Sequence, residues 1–287
     1  MPSRIALALL SLRKILQVAS VPHPSPFKPL GRCCYCGAAD VALSDEHVIP
    51  FSLEGTLILP TASCLKCADI TKRFEQTVAR GMLGNFRARN DGKTRRKKER
   101  PTHLPIFIQG KDGQEKEVLV PTKNHPGTFA LFEWGPPGYF LGRKPKEDPK
   151  TIRILGHKGL KLEPQIDDPW HTIVMVNENA FLRMLAKIAH CFAVGIVENK
   201  SQHLNPMLTD LILGKSRDLY HFIGSSTGPI PPSGDDFHIL RLDPVRFRGQ
   251  VLLIARIRLF QFLGTPVYTV IVGELDGDIS GEEVINL

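Results

Sequence analysis

Apolar positions change period several times along this chain, and each change marks a different element. After Cys67, Ile70, Phe74, Val78 and Met82 recur every four residues and draw one helical stripe. Lys72, Arg73, Gln76 and Arg80 fall largely outside it. Phe181, Leu185, Ile188, Ala189 and Phe192 line the apolar side of a second helix at 180–194, and Asn177 stands where a cap is wanted. Residues 205–222, with Leu208, Leu211, Ile212 and Leu219, predict a third helix, and residues 5–18 an amphipathic one. Short β-rich runs at 41–44, 47–52, 104–109, 117–121, 173–176, 237–242, 250–262 and 266–274 predict strands. Leu263-Gly264-Thr265 joins the last two as a hairpin. In 250–262, Arg256 and Arg258 alternate with Ala255, Ile257 and Leu259, which predicts one basic face.

Between these elements the chain is punctuated. Residues 21–30 carry four prolines and read as an extended linker. Residues 127–150, rich in Gly, Pro and Phe around Trp134, read as an irregular hinge, and 225–236 as a loop. The organisation expected is a helix and linker at 1–30, a small module at 31–90, a basic arm at 91–100 and a domain at 101–287. The fold class is α+β, with an antiparallel sheet in that last domain.

Composition adds a partner class. The chain has 287 residues, 42% hydrophobic, with a net charge of +8. That is enough apolar content for a real core, and the charge favours a polyanion, nucleic acid first. The charge is concentrated in residues 86–100, where Arg87, Arg89, Lys93, Arg95, Arg96, Lys97, Lys98 and Arg100 face only Asp91 and Glu99. Arg95, Arg96, Lys97 and Lys98 are the candidate phosphate contacts, giving affinity without sequence choice. The short apolar run at 5–12 is broken by Arg13 and Lys14, and no later stretch has the uncharged length of a membrane span, so no membrane partner is expected.

Cysteine spacing is the most specific signal. Cys33/Cys36 and Cys64/Cys67 are two C-x-x-C pairs, and only Cys191 lies outside that region. This is a metal pattern rather than a disulfide framework, which implies a reducing cytoplasm. Four thiolates suit a structural Zn²⁺ with no open position, leaving Cys34 free. Between the pairs stands Asp45-Glu46-His47-Val48-Ile49-Pro50.

With Gly37, Gly55 and the helix after Cys67, these residues resemble the zinc-bearing variety of the HNH endonuclease family over about residues 31–90. The resemblance implies a ββα-metal unit that hydrolyses DNA, with His47 as general base. It puts Glu46 at a position for a catalytic Mg²⁺ or Mn²⁺, with Asp45 as the competing ligand. Glu46 and His47 would point to opposite faces of a regular strand, so a bulge or strand end is required here. The chain departs from the family pattern at Leu59, Pro60 and Ala68. Asp69 could supply the missing helix ligand or could serve the helix dipole, and Glu75, about 120° further round the helix, is the weaker candidate. Two other functions compete: a zinc-stabilised nucleic-acid-binding module without chemistry, and a protein-interaction or regulatory protein. His190 and Cys191, on an apolar helix, read as core.

Overall fold

The computed structural model describes residues 25–110, 113–142, 151–156, 169–228, 230–232, 236–276 and 283–286. The helix expected at 5–18 lies outside the described residues. The first elements are an antiparallel hairpin, β1 (Leu43–His47) and β2 (Ile58–Cys64), followed without a break by helix α1 (Leu65–Gln76). The helical stripe then runs through a π-helical turn, Thr77–Met82, into α2 (Gly84–Arg89). The strand expected at 47–52 is not formed. β1 ends at His47, and Pro50, which has no amide to donate, leads into a 3₁₀ turn at Phe51–Leu53. Gly55 closes that turn, since a Cβ there would stand 1.9 Å from the Ile49 carbonyl oxygen. The true partner strand contains Pro60 and a left-handed Thr61 (φ 44°), which hide it from any reading of strand propensity.

Beyond the basic arm, the strands expected at 104–109 and 117–121 are β3 (His103–Gln109) and β4 (Glu115–Pro121), and they pair with each other. β5 (Phe129–Glu133) and β6 (Thr151–Leu155) form a second pair, and β7 (Trp170–His171) adds to β3. The hinge expected over 127–150 is therefore corrected in its first part: every residue of β5 is buried. Its unbroken apolar run belongs to the core. Residues 173–176 form no strand, and Ile173, Met175 and Val176 are exposed.

Helix α3 (Glu178–Asn199) starts one residue after Asn177, whose side chain accepts the Ala180 amide at 2.9 Å. The helix expected at 205–222 breaks into β8 (Leu204–Pro206), two helical turns at Thr209–Ile212 and Leu219–Phe222, and β9 (Ile223–Ser225). Gly214, at φ 76°, separates the two turns. The chain closes with β10 (His238–Phe247), β11 (Gln250–Leu259), β12 (Tyr268–Leu275) and β13 (Glu283–Asn286). They form an antiparallel sheet in the order β13-β10-β11-β12, with β8 and β9 both paired to β12. β10 is longer than the run 237–242 because Pro244 lies past the end of β13, where its missing amide costs no ladder bond. The face expected to be basic is not free. Arg258 is buried and donates to the Thr265 and Ile230 carbonyls, while Arg256 pairs with Asp243 at 2.8 Å.

One hydrophobic core runs from Phe27 and Cys33 to Leu275, so the cysteine-bearing hairpin and the sheet share it. α3 joins them. Its apolar side, with Phe181, Leu185 and Ile188, is buried in that core. Another stripe, at helical spacing, holds the N-terminal part: Lys187 meets β1, His190 Nε2 donates to the Cys34 carbonyl at 2.8 Å, and Gly195 lets the Phe27 ring approach. Asn199 closes the stripe on Lys28 and Pro26. α3 is long and apolar enough to cross a membrane, but 89% of the relevant window is buried in the fold.

A second link crosses from the sheet. His238 Nε2 donates to the Leu53 carbonyl at 2.6 Å, and its Nδ1 accepts the Phe260 amide at 3.2 Å. Burial pushes His190 and His238 down to about 4. The unfolded chain takes up these protons near the ordinary histidine value of about 6.5. It therefore binds more protons than the folded chain, and stability falls as pH drops from about 6.5 towards about 4. In denaturant titrations at constant zinc content, His238→Gln should shrink the loss of stability between neutral pH and about pH 5. A loss unchanged from wild type would contradict this account.

Candidate functional site

The four paired cysteines converge. Cys33, Cys36, Cys64 and Cys67 bring their sulfurs within 4.8 Å of one another. Cys36 Sγ and Cys64 Sγ are 3.8 Å apart, the edge of a tetrahedron with metal–sulfur bonds of about 2.3 Å. The Cys33–Gly37 turn is closed by the Gly37 amide on the Cys33 carbonyl at 2.8 Å, with Gly37 at φ 76°. Cys64 caps α1 and Cys67 lies in its first turn, where the helix dipole favours thiolate. Burial raises the Cys33 thiol, but backbone hydrogen bonds from Cys64, Cys36 and Tyr35 outweigh it and hold it at about 7. Burial pushes Cys67 the other way. A cation is needed for all four to ionise together, and these cysteines could hold a metal ion such as zinc. Cys34 points elsewhere: burial and then its neighbour Cys191 raise its thiol, and Tyr35 Oη lies 3.2 Å from Cys191 Sγ.

No bulge separates Glu46 from His47, which pair regularly with Leu59 and Ile58; of the two alternatives it is the strand end that is met, since β1 stops at His47. The β1–β2 register shifts between Ser44 and Glu46, with the surplus residues on β2 around Thr61. Asp45 Oδ1 accepts the Thr61 amide at 3.0 Å and so staples the irregularity. Glu46 turns into the protein, and His47 is half-buried.

What Glu46 meets is Lys187, whose side chain is fully buried. Lys187 Nζ lies 2.8 Å from Glu46 Oε1 and 2.9 Å from Glu75 Oε1, and donates to the His47 backbone carbonyl. The Glu75 contact is an ion pair without good hydrogen-bond direction. Burial alone would lower Lys187, but Glu46 and then Glu75 reverse this and hold it above its ordinary value. Burial raises Glu75 against the pull of Lys187, and Glu46 adds to the rise. Removing the ammonium alone would strand two inward carboxylates, a loss of about 3–5 kcal/mol.

The candidate acids do not assemble a Mg²⁺ or Mn²⁺ site. Among the described residues, no group of three or more His, Cys, Asp or Glu converges as a metal cage besides the four cysteines. Asp45 is spent on Thr61, Glu46 on Lys187, and Asp69 lies on the exposed side of α1, past its first turn. Glu75, the weaker candidate, is the one that reaches inward beside Glu46.

His47 is brought to the basic arm instead. Its Nδ1 is buried without a hydrogen-bond partner among the described residues, and its ring lies 5.7 Å from that of Phe51. Lys93 Nζ and the Arg95 guanidinium stand 5.6 and 5.8 Å from the centre of the Phe51 ring. Burial, then Lys187, then Arg95 and Lys93 lower the imidazole pKa, with Glu46 opposing. His47 is thus neutral at pH 7, able to accept a proton, and flanked by cations.

Comparison of the chain with protein-family models, curated proteins and solved structures finds no match.

The basic arm is only partly exposed. Arg87 is clamped on the carbonyls of Ser52, Ala79 and Lys93, Arg89 on those of Lys123 and His125, and Arg100 on Asp91 and Gly92. Arg87 ties the arm to the Phe51 turn, Arg89 reaches the segment after β4, and Arg100 closes the arm on itself. Arg95, Arg96, Lys97 and Lys98 remain exposed, Arg96 in a surface pair with Glu99. The residue that sequence reasoning missed is Lys187. Its signal is a lysine set in the apolar run Leu185-Ala186-Lys187-Ile188-Ala189, which needs a buried partner.

The cysteine geometry predicts one zinc per chain by elemental analysis. Cys64→Ser should release it and lower the unfolding temperature, because a structural zinc contributes folding free energy. A folded preparation free of zinc would contradict the assignment.

Proposed function

We propose that this chain is an HNH-type endonuclease that hydrolyses phosphodiester bonds in DNA, with His47 as general base. The observation that carries the reading is the neutral, half-buried His47 beside Phe51, Lys93 and Arg95, held by a bulged hairpin with a four-cysteine cluster at its far end. In this reading the imidazole removes a proton from water, the hydroxide attacks phosphorus, the P–O bond opposite it breaks, and the leaving oxygen takes a proton from solvent. The Arg95 and Lys93 cations meet the charge that builds on the phosphoryl oxygens. Arg96, Lys97 and Lys98 hold neighbouring phosphates.

Dependence on Mg²⁺ or Mn²⁺, implied by the resemblance, is the part of this reading that Lys187 opposes. The same contact favours the second reading, a zinc-stabilised module that binds nucleic acid without cutting it, since Glu46 and Glu75 are already paired.

Plasmid nicking by the zinc-loaded chain separates the two. His47→Ala should keep zinc and DNA binding but slow cleavage at least about 10²-fold. Because the His47 pKa is lowered, the acid limb of wild-type cleavage should lie below about pH 6.5. If wild type nicks no DNA with Mg²⁺, with Mn²⁺ or with neither, the binding module takes over. If His47→Ala cuts as well as wild type, the assignment of the base fails.

Changing Arg95, Arg96, Lys97 and Lys98 to Gln should weaken binding to all DNA sequences alike. It should flatten log affinity against log salt by about 0.9 per lost contact. An unchanged slope would remove the arm from the interface.

A further inference from the structure

Glu46 and Glu75 come from different elements, β1 and α1, and reach one buried point. Two carboxylates aimed at one place are the donor set of a hard divalent cation. That place is filled by Lys187 Nζ, 2.8 Å from one carboxylate and 2.9 Å from the other. The ammonium cannot swing aside. It also donates to the His47 carbonyl, its side chain is fully buried, and its neighbours Ala186 and Ile188 are packed in the core. A divalent ion on these oxygens would sit within a few ångströms of a fixed positive charge, or would have to expel it without any replacement for its partners.

We propose that Lys187 is the resident cation of this site. It joins Glu46 to Glu75 as a metal ion would, the two carboxylates take up no Mg²⁺ or Mn²⁺ in the folded chain, and removing the lysine side chain opens a divalent-cation site on them. Charge supports the exchange. One ammonium between two carboxylates leaves one negative charge in excess, whereas one divalent ion balances both. The position also explains why the cation comes from α3: the lysine makes the hairpin and α1 converge only when the core helix is in place. The inference goes beyond the nuclease reading and stands without it, because it is read as metal uptake and not as cleavage.

The test titrates the zinc-loaded full chain with Mn²⁺, following the free ion by electron paramagnetic resonance and the site by broadening of the amide signals of His47, Val48 and Lys187. Wild type should show no uptake that broadens these signals. Lys187→Ala should take up about one equivalent, broaden His47 and Val48, and gain thermal stability with Mn²⁺ while wild type does not. Uptake by wild type with broadening at His47 and Val48 would overturn the proposal, as would a folded Lys187→Ala that takes up none. If Lys187→Ala folds only when Mn²⁺ is present, the exchange of lysine for metal is supported. If it folds under neither condition, the exchange is refuted.

Discussion

The buried ammonium of Lys187 is the constraint on which the rest of the structure depends. A lysine with no exposure is tolerated only when its charge is met, and here Glu46, Glu75 and the His47 carbonyl meet it together. Two of these partners lie on β1 and the third on α1, so the single nitrogen fixes where β1 and α1 stand relative to α3. The pairing is costly in desolvation and gains little net stability over an apolar contact. Its effect is specificity: this packing of α3 satisfies the ammonium and both carboxylates together.

Around that point the remaining links fall into register. Lys187, His190, Cys191, Gly195 and Asn199 repeat at helical spacing, so one side of α3 touches the bulged hairpin, the cysteine turn, Phe27 and the preceding strand of chain in succession. The cysteine cluster holds the far end of the hairpin, Asp45 staples the register shift at Thr61, and normal strand alternation then turns Glu46 inward and leaves His47 half-exposed. Arg87 then fastens the basic arm to the Phe51 turn, which carries Lys93 and Arg95 to the imidazole. The chemistry available at His47 is thus a product of the whole chain, not of the small module alone.

Much of this was readable from residue pattern, where a local rule and the tertiary fold agree. The paired cysteines, the stripe after Cys67, the Asn177 cap and the closing antiparallel strands follow from spacing and capping chemistry. The misses lie where tertiary context overrides a local rule. β2 carries a proline and a left-handed Thr61, because the bulge needs them. β5 is buried on both sides and lacks alternation. Arg87, Arg89 and Arg258 look like surface charge in the sequence yet clamp backbone carbonyls. Glu46 could be named as a metal-ligand candidate, but its actual partner, Lys187, lies 141 positions away on another element, beyond any local pattern.

The central claim, that Lys187 makes the cysteine-bearing hairpin and the β10–β12 sheet one folding unit, is open to native-state hydrogen exchange of the zinc-loaded chain. The account predicts that the slowest amides of β1, β2, α1, α3, β11 and β12 exchange with the same opening free energy and the same denaturant dependence. Amides of the hairpin and α1 that open together at clearly lower free energy, while α3 and the sheet stay protected, would contradict it.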